Sequence, residues 1–326
     1  MANTKNYMEQ GGASWVIGGD VRFNGTIYGL QPGKVFYVDP RNGSDTLNDG
    51  LSMGAALKTI KAAYDLCTTN CNDVVAVIGD ATENALAAAL PWAKSYTHLI
   101  GLSADIPGVG QRCRITGSAA LDLLYLIDFQ GNGCIVKNIQ FFNNYDSTAA
   151  HGAVKVTGNR NYFENCFFAG MGGCVTHTGT YDLWLQSDEN VFKRCTIGLH
   201  TMANGVANSH VLISNAAAAG QRCKFIDCEF LNWSTVTTTA MIRITSDVTT
   251  EGFVLWLENC LFDNLLGGAT MANAIEDAAT ETHHQIVLRG YSQMVGITGW
   301  TDQVTYAWGI GATPNNGFGV SLNPAA

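Results

Sequence analysis

A hydrophobic triplet that recurs about every thirty residues is the strongest constraint on how this chain can fold. Each triplet has apolar residues at positions i, i+3 and i+5, and successive triplets begin 27, 29, 33 and 32 residues apart. The five copies are Val136, Ile139 and Phe141; Phe163, Cys166 and Phe168; Phe192, Cys195 and Ile197; Phe225, Cys228 and Phe230; and Leu257, Cys260 and Phe262. A fixed period of this length predicts an architecture in which similar units stack on one another.

The spacing inside the triplet predicts a sharp corner. Positions i+3 and i+5 lie on one face of a strand, whereas i and i+3 have opposite parity, so the chain must bend between them if all three are to be buried. Asn and Asp at i+2 suit such a bend because, after Gly, they tolerate the left-handed backbone conformation best. The corner residues are Asn138, Asn165, Asp227 and Asn259, with Arg194 as the exception.

A further short apolar strand precedes each triplet, so that one repeat holds three strands and three turns. This arrangement predicts one coil of a parallel β-helix, with coils about 4.8 Å apart and room for roughly seven of them between residues 97 and 295. Neither a sandwich nor a doubly wound sheet produces this repeat. The interior column would contain Cys166, Cys195, Cys228 and Cys260 beside Phe168, Phe230 and Phe262. Parallel Cβ vectors suit disulfides poorly, so these cysteines are expected to be apolar core groups.

Charge and composition exclude several classes of function. The 326 residues include 18 Lys and Arg against 27 Asp and Glu, a net charge of -9, and no basic block, so nucleic-acid binding is not expected. The N-terminus lacks a secretory signal and no stretch is apolar enough to span a membrane. The 10 cysteines lack the paired spacing of zinc sites. We therefore expect no membrane association, metal or cofactor.

Residues 34–80 follow a different pattern. FYVDP, GSD and NDG precede a helix with Leu57, Ile60, Tyr64 and Cys67 at helical spacing, and the buried strand DVVAVIGD follows. This region is expected to supply an initial strand and a capping helix that covers the open end of the stack. Coils are expected over residues 81–300 and a C-terminal tail over 301–326.

This order, followed by the Asn-cornered coils, resembles the pectin-lyase-like right-handed parallel β-helix group over residues 34 to 296. The resemblance implies an all-β, right-handed parallel β-helix. It does not imply a single function, because the group contains lyases, hydrolases, phage tailspikes and structural virion proteins.

Residues 1–33 form a separate leader. The segment NYMEQGGASWVIGGDVRFNGTIYG resembles a short leader of bacteriophage head-decoration and head-fibre proteins. Its alternating stretches predict a small β element that is too short to hold a core alone. It would either dock onto a capsid shell or a sister subunit, or fold back on the first coil. The residues expected to anchor it to a capsid are Asn6, Tyr7, Gln10, Trp15, Val16 and Ile17.

Catalytic groups are not evident from linear spacing. The resemblance implies that a lyase would carry a Ca²⁺-binding carboxylate cluster and a basic residue on the outer face of one sheet. The strands before the triplets offer Lys155, His177 and Arg243, with Asp247 and Glu251 in the following turn. These residues lie on different coils, and their spacing does not bring two of them to one substrate atom. No catalytic residue is predicted.

The remaining polar motifs are interpreted as structural. The oxygen-rich stretch lacks the ligand spacing of an EF-hand, so a turn is favoured; its members are Asp39, Asn42, Asp45, Asn48 and Asp49. Cys67 and Cys71 have no second pair to complete a zinc site. The adjacent His283 and His284 would point to opposite faces of a strand.

The leading hypothesis from the sequence is a non-enzymatic bacteriophage virion protein. It would be a capsid decoration or cement subunit, bound to the major capsid protein through the leader, trimeric, and located on the capsid surface after assembly in the host cytoplasm. The alternatives are a polysaccharide lyase or depolymerase acting in a groove on the flank, and a receptor-binding tailspike. Small, neutral loops with an aromatic such as Trp233 suit subunit packing or weak glycan contact.

Overall fold

The computed structural model describes residues 33–80, 84–104, 112–117, 123–143, 152–171, 176–214, 219–249, 253–265, 268–278, 284–302 and 307–308. The leader up to residue 32, with all six expected anchoring residues, lies outside these ranges, as does the tail after residue 308.

Short strands make up nearly all of the regular structure. The first half of the chain contains β1 Val35–Val38, β2 Asp73–Ile78, β3 Asn84–Leu86, β4 Leu90–Trp92, β5 Thr97–Leu102, β6 Cys113–Gly117, β7 Ile127–Phe129, β8 Ile135–Lys137, β9 Ile139–Phe142, β10 Val154–Val156, β11 Tyr162–Glu164 and β12 Phe167–Ala169. The second half contains β13 Leu183–Leu185, β14 Val191–Lys193, β15 Thr196–Gly198, β16 Ser209–Ile213, β17 Lys224–Ile226, β18 Glu229–Asn232, β19 Ala240–Ile244, β20 Val254–Glu258, β21 Leu261–Asn264, β22 Met271–Asp277, β23 Gln285–Arg289, β24 Gln293–Val295, β25 Ile297–Thr301 and β26 Ala307–Trp308. The helices are a 3-10 helix, Met53–Ala55, and α1, Ile60–Leu66.

The strands form three parallel sheets in which neighbours come from successive coils. Sheet 1 has the order β25-β22-β19-β16-β13-β10-β7-β4, sheet 2 the order β1-β2-β5-β8-β11-β14-β17-β20-β23-β26, and sheet 3 the order β24-β21-β18-β15-β12-β9-β6-β3. Each coil passes from sheet 1 to sheet 2, then to sheet 3, and returns by a long connection. The predicted right-handed parallel β-helix is confirmed. Between residues 97 and 295 sheet 2 has seven described strands, which agrees with the expected number of coils, and β2, β3 and β4 form one further coil before residue 97.

The corner between sheets 2 and 3 is left-handed in every triplet. Backbone φ lies between +52° and +57° at Asn138, Asn165, Arg194, Asp227 and Asn259. Side-chain amides link successive corners: Asn165 Nδ2 donates to Asn138 Oδ1 at 3.2 Å, and Asn259 Nδ2 donates to Asp227 Oδ1 at 3.1 Å. The corner thus combines a tolerated backbone conformation with hydrogen bonds between coils.

Arg194 takes the same left-handed conformation but pairs differently. Its guanidinium forms an ion pair with Glu164, which also accepts a bond of 2.8 Å from Lys137 Nζ. Burial raises the pKa of the Glu164 carboxyl, but the bonds from Lys137 and Arg194 outweigh it and hold this pKa below its ordinary value. An ion pair therefore replaces the amide link at this corner.

The interior contains a column of cysteines beside stacked phenylalanines. Cys166, Cys195, Cys228 and Cys260 are free thiols, at most 1% exposed. They lie in line along the stack. The residue after Cys195, Cys228 and Cys260 donates its backbone N–H to the carbonyl of the cysteine one coil earlier, at 2.9–3.0 Å. Burial raises the pKa of the Cys195 and Cys228 thiols well above its ordinary value. A buried, protonated thiol is chemically inert, so the column serves packing.

A second left-handed corner joins sheet 1 to sheet 2. Its residues have φ between +50° and +65° and are Tyr96, Gly133, Arg160, Glu189 and Arg222. This corner was not predicted from the sequence, because no side-chain type is common to all of its members. Backbone bonds between coils hold it instead, as from Tyr96 N to the Asn132 carbonyl at 2.9 Å and from Arg160 N to the Asp188 carbonyl at 3.1 Å.

The predicted capping helix is present at the N-terminal end. α1 contacts β1 and β2, and Ile60, Ala63 and Tyr64 are buried. Thr59 Oγ1 accepts a bond from Ala62 N at 3.2 Å and caps the helix. The helix is shorter than the apolar spacing suggested, since Leu57 precedes it and forms a parallel bridge with Val38. Within the described ranges, no helix has the length and apolar character needed to cross a membrane.

Candidate functional site

The outer face of sheet 1 carries a row of side chains aligned by strand pairing. Each belongs to a strand whose flanking residues point into the core, so parity places it outside. Cross-strand register aligns Asp128, Lys155, Trp184, Leu212, Arg243 and Glu276. Neighbouring members are therefore about 4.8 Å apart along the stack.

Lys155 is a half-buried member of this row that lies between two aromatic rings. Its Nζ lies 4.5 Å from the Trp184 ring centroid and 5.6 Å from that of Tyr125. Among the described residues, this ammonium has no carboxylate or other hydrogen-bond partner. Aromatic faces attract a cation without neutralising its charge. Lys155 is thus held in place while its charge is available to an anionic ligand.

Asp128 lies beside Lys155 on the adjoining strand. Its carboxylate accepts bonds from Thr157 Oγ1 at 2.9 Å and from Gln130 Nε2 at 3.0 Å, which fix its orientation. Burial and, to a lesser degree, the charge of Asp128 raise the pKa of the Tyr125 phenol above its ordinary value. We refer to Tyr125, Asp128, Lys155 and Trp184 as the Lys155 cluster.

Trp184 is itself fixed by its neighbours. Its indole Nε1 donates to Ser214 Oγ at 2.7 Å, and its ring lies 5.4 Å from that of Tyr181. An aromatic surface with a defined orientation can stack on an apolar ligand face without losing much conformational freedom on binding.

Arg243, the other basic candidate on this face, is already paired. It forms an ion pair of 2.7 Å with Glu276 and donates to the Ala207 and Thr238 carbonyls. It lies three strands from Lys155, or about 14 Å along the stack. The structure therefore places both residues on one face without bringing them together.

The other candidate groups lie elsewhere. His177 belongs to the connection between β12 and β13, Asp247 is exposed in the turn after β19 and accepts from Thr245 Oγ1, and Trp233 is in the connection between β18 and β19. Glu251 and His283 fall outside the described residues.

A sealed acid–imidazole pair occupies the same face of sheet 1. His210 Nδ1 bonds to Asp182 Oδ2 at 2.6 Å, and Asp182 Oδ1 accepts from Met171 N at 3.1 Å. The two side chains are 3% and 2% exposed, and His210 borders a cavity of about 10 Å³ that Asn204 and Asn232 also line. This space holds about one water molecule. A substrate cannot reach the pair in this conformation.

The pairing of Asp182 with His210 was missed by sequence reasoning. The two residues are 28 positions apart, and each stands two residues before a member of the outer row, Trp184 or Leu212. Aligning the coils by the strands that precede the triplets could have brought them together. A second pair joins His284 Nδ1 to Asp277 Oδ2 at 2.9 Å, with both side chains buried.

The carboxylates of the oxygen-rich stretch after β1 accept hydrogen bonds from backbone N–H groups of this stretch and of the residues just before α1. Asp39 Oδ1 accepts from Arg41 N and Asn42 N at 2.9 Å, and Asp45 Oδ1 accepts from Lys58 N at 2.7 Å and Thr59 N at 3.0 Å. Partial burial raises the pKa of Asp39, but the hydrogen bonds from Asn42 and Arg41 and the charge of Arg41 outweigh it and keep this pKa below its ordinary value.

The side chains of Asn48 and Asp49, in the same stretch, also form hydrogen bonds to nearby backbone groups. Asn48 Nδ2 donates to the Ala56 carbonyl at 2.7 Å, and Asp49 Oδ1 accepts from Leu51 N at 3.0 Å.

The two cysteines considered for a zinc site differ in exposure: Cys67 is buried, whereas Cys71 is exposed. In the part of the chain that the structure describes, no three His, Cys, Asp or Glu side chains are grouped so that they could hold a metal.

Comparison with known proteins identifies structural neighbours only. No protein-family model and no curated protein matches the sequence. Pectin methylesterase PemA from Erwinia chrysanthemi superposes with a TM-score of 0.58 at 14% identity, covering 89% of this chain and 93% of its own. Pectate lyase Pel9A has a TM-score of 0.53 at 14% identity, covering 84% and 68%. A rhamnogalacturonan lyase has a TM-score of 0.53 at 14% identity, covering 80% and 68%.

These neighbours contradict one expectation from the sequence. The chain was expected not to be an enzyme, yet it shares its fold with enzymes named for pectin, pectate and rhamnogalacturonan. That expectation relied on the absence of a linear motif, whereas the outer face of sheet 1 gathers its side chains from separate coils. The capsid-decoration hypothesis receives no support from these neighbours. At 14% identity the likeness establishes the fold.

Proposed function

We propose that the protein binds an acidic polysaccharide across the outer face of sheet 1 and cleaves it by β-elimination at the Lys155 cluster. The observation that carries this proposal is the Lys155 ammonium, held over two aromatic rings with no carboxylate partner among the described residues. A uronate supplies both complements, a carboxylate for the ammonium and an apolar sugar face for Trp184. The names of the pectate lyase and rhamnogalacturonan lyase neighbours support this class of substrate.

Hydrolysis by paired carboxylates fits the face less well. Glycoside hydrolases of that kind hold two carboxyl groups roughly 5 to 9.5 Å apart. In the aligned row, the carboxylates are Asp128 and Glu276, five strands or about 24 Å apart, and Glu276 is paired with Arg243. Asp182 lies two residues before Trp184, but its side chain is 2% exposed and paired with His210.

Elimination needs only one base and one cation near the acidic carbon. The proton α to the uronate carboxylate is removed, its electron pair forms the new C–C double bond, and the bond to the glycosidic oxygen breaks, so that the released oxygen takes a proton from water. Lys155 would pair with the uronate carboxylate and stabilise the charge that develops as this proton leaves. Asp128, on the adjoining strand, is 3% exposed and both its oxygens already accept hydrogen bonds, so the proton would pass to solvent hydroxide rather than to this carboxylate.

Replacing Lys155 with methionine tests this role. Lys155→Met retains the length of the side chain and removes its charge, so we expect product formation to fall by at least about 100-fold. The purified protein is incubated with polygalacturonate, rhamnogalacturonan and alginate, and the ultraviolet absorbance of unsaturated uronate ends is followed.

Lys224→Met is the matched control. Lys224 Nζ also lies over an indole, 4.3 Å from the Trp256 ring centroid, but on sheet 2. This variant should cleave at the wild-type rate. Wild-type protein that releases no unsaturated ends from any of the three polymers, or equal rates for the wild type and Lys155→Met, would refute the proposal.

A further inference from the structure

A polar groove runs along the corner between sheets 1 and 2 and shares no residue with the Lys155 cluster. Its volume is about 420 Å³. The side chains that line it include Tyr96, Asn132, Asn159, Arg160, Asp188 and Arg222. These residues belong to successive coils, so the groove follows the stack for four steps of about 4.8 Å, or roughly 19 Å.

A side-chain ladder forms part of the wall of the groove. Ser95 Oγ accepts from Asn132 N at 3.0 Å, Asn132 Oδ1 accepts from Asn159 N at 2.7 Å, and Asn159 Oδ1 accepts from Asp188 N at 2.8 Å. Each bond fixes one side chain per coil. The Nδ2 groups of Asn132 and Asn159 have no partner among the described residues, so they are donors held at a regular spacing.

Tyr96 provides an aromatic surface at one end of the groove. Its φ is +50°, a conformation that costs a bulky residue about 1–3 kcal/mol, and its side chain is 50% exposed. The ring lies against Gly133, where an added Cβ would be 2.7 Å from Tyr96 Cε1. Asn or Gly would satisfy this corner at lower cost, so backbone preference does not explain the half-exposed ring at this position.

Charge balance indicates the chemistry of a ligand for this groove. Glu189 accepts from Arg222 Nε at 3.0 Å through one carboxylate oxygen and pairs with Arg160 through the other. With Asp188, the groove has two cationic and two anionic side chains, and both guanidiniums already have a partner. An anionic ligand such as a phosphate or a uronate would find no uncompensated cation here.

We infer that this groove is a second binding site, for a neutral oligosaccharide that lies along the stack, with a sugar face on Tyr96 and hydroxyl groups on the amide donors. An aromatic platform and fixed polar groups in a concave surface match a hydroxyl-rich, uncharged chain. This site would bind glycan independently of cleavage at the Lys155 cluster.

Tyr96→Asn tests the inference with little risk to folding. Asparagine tolerates the left-handed conformation, so the variant should fold while lacking the ring. Calorimetric titration with cellohexaose, maltohexaose and chitohexaose should show binding of at least one by the wild type, weakened by roughly tenfold in Tyr96→Asn. Tyr291→Asn is the matched control, since Tyr291 is 88% exposed and follows another left-handed corner residue, Gly290, and its binding should be unchanged.

A second variant removes one of the two amide donors and retains the ladder. Asn159→Asp retains an oxygen to accept the bond from Asp188 N and loses the amide N–H groups, so it too should bind the same oligosaccharide more weakly. Failure of all three oligosaccharides to bind the wild type would overturn the inference, as would undiminished binding by Tyr96→Asn. Loss of neutral-glycan binding in Lys155→Met would also overturn it, by assigning that binding to sheet 1. Unchanged binding in Lys155→Met, whatever its cleavage rate, separates this test from that of the proposed function.

Discussion

Replacing Phe225 with alanine is expected to lower the free energy of unfolding by about 3–5 kcal/mol. The Phe225 ring is fully buried and stacks on that of Phe192 with 4.8 Å between centroids, and it also contacts Phe230 at 5.5 Å. The strands on either side are hydrogen-bonded to their neighbours, so the coil cannot collapse into the space that the ring leaves.

Denaturant unfolding of the wild type and the variant measures this change. Phe225→Leu refills part of the space and should cost less than the alanine variant. Tyr291→Ala removes an exposed ring and should alter stability by no more than about 0.5 kcal/mol. A loss below about 1 kcal/mol in Phe225→Ala would show that the phenylalanine stack does not support the core.

Mild acid is expected to destabilise the protein through His98. This side chain is 1% exposed in β5, where Nδ1 accepts from Ile135 N at 3.0 Å and Nε2 bonds to Asn72 Oδ1 at 3.2 Å. Burial lowers the pKa of His98 from 6.5 to about 4, against the opposing charge of Asp73. The unfolded chain therefore binds a proton more readily between these two pH values, and stability falls as the pH decreases from 6.5 to about 4. The full loss is up to about 3 kcal/mol.

Unfolding measured at a series of pH values tests this dependence. His98→Gln retains a donor and an acceptor but does not titrate, so its stability should change much less across the window. His177→Gln, outside the core, should behave as the wild type. The pKa of Glu164 is also held below its ordinary value of 4.5, so protonation of this carboxyl lowers the stability further only below about that pH. An equal loss in His98→Gln and the wild type would assign the acid sensitivity to other groups.

The two corners show why one part of the fold could be predicted and another could not. Asn165 and its equivalents mark the corner between sheets 2 and 3 because amide and carboxylate side chains tolerate the left-handed conformation and also hydrogen-bond from one coil to the next. The corner between sheets 1 and 2 has the same conformation, but Tyr96, Arg160 and Glu189 carry no common chemical mark. Hydrogen bonds between coils impose it, and such bonds can be found only once the coils are aligned.

The candidate site was only partly accessible to sequence reasoning for a related reason. Strand parity alone places Lys155 on an outer face. Its neighbours Asp128 and Trp184 come from the adjoining coils, and the long connections vary in length, so linear spacing does not reveal the register. Capsid attachment through the leader and assembly as a trimer stay predictions, as do the domain boundaries.

Because the coils stack in register, the length of each proposed binding surface depends on the number of turns in the helix. A turn added or deleted within the outer row of sheet 1 or the corner groove would lengthen or shorten that surface by about 4.8 Å, without altering the residues that remain. The lengths of the two proposed binding surfaces are thus set in whole turns of the helix.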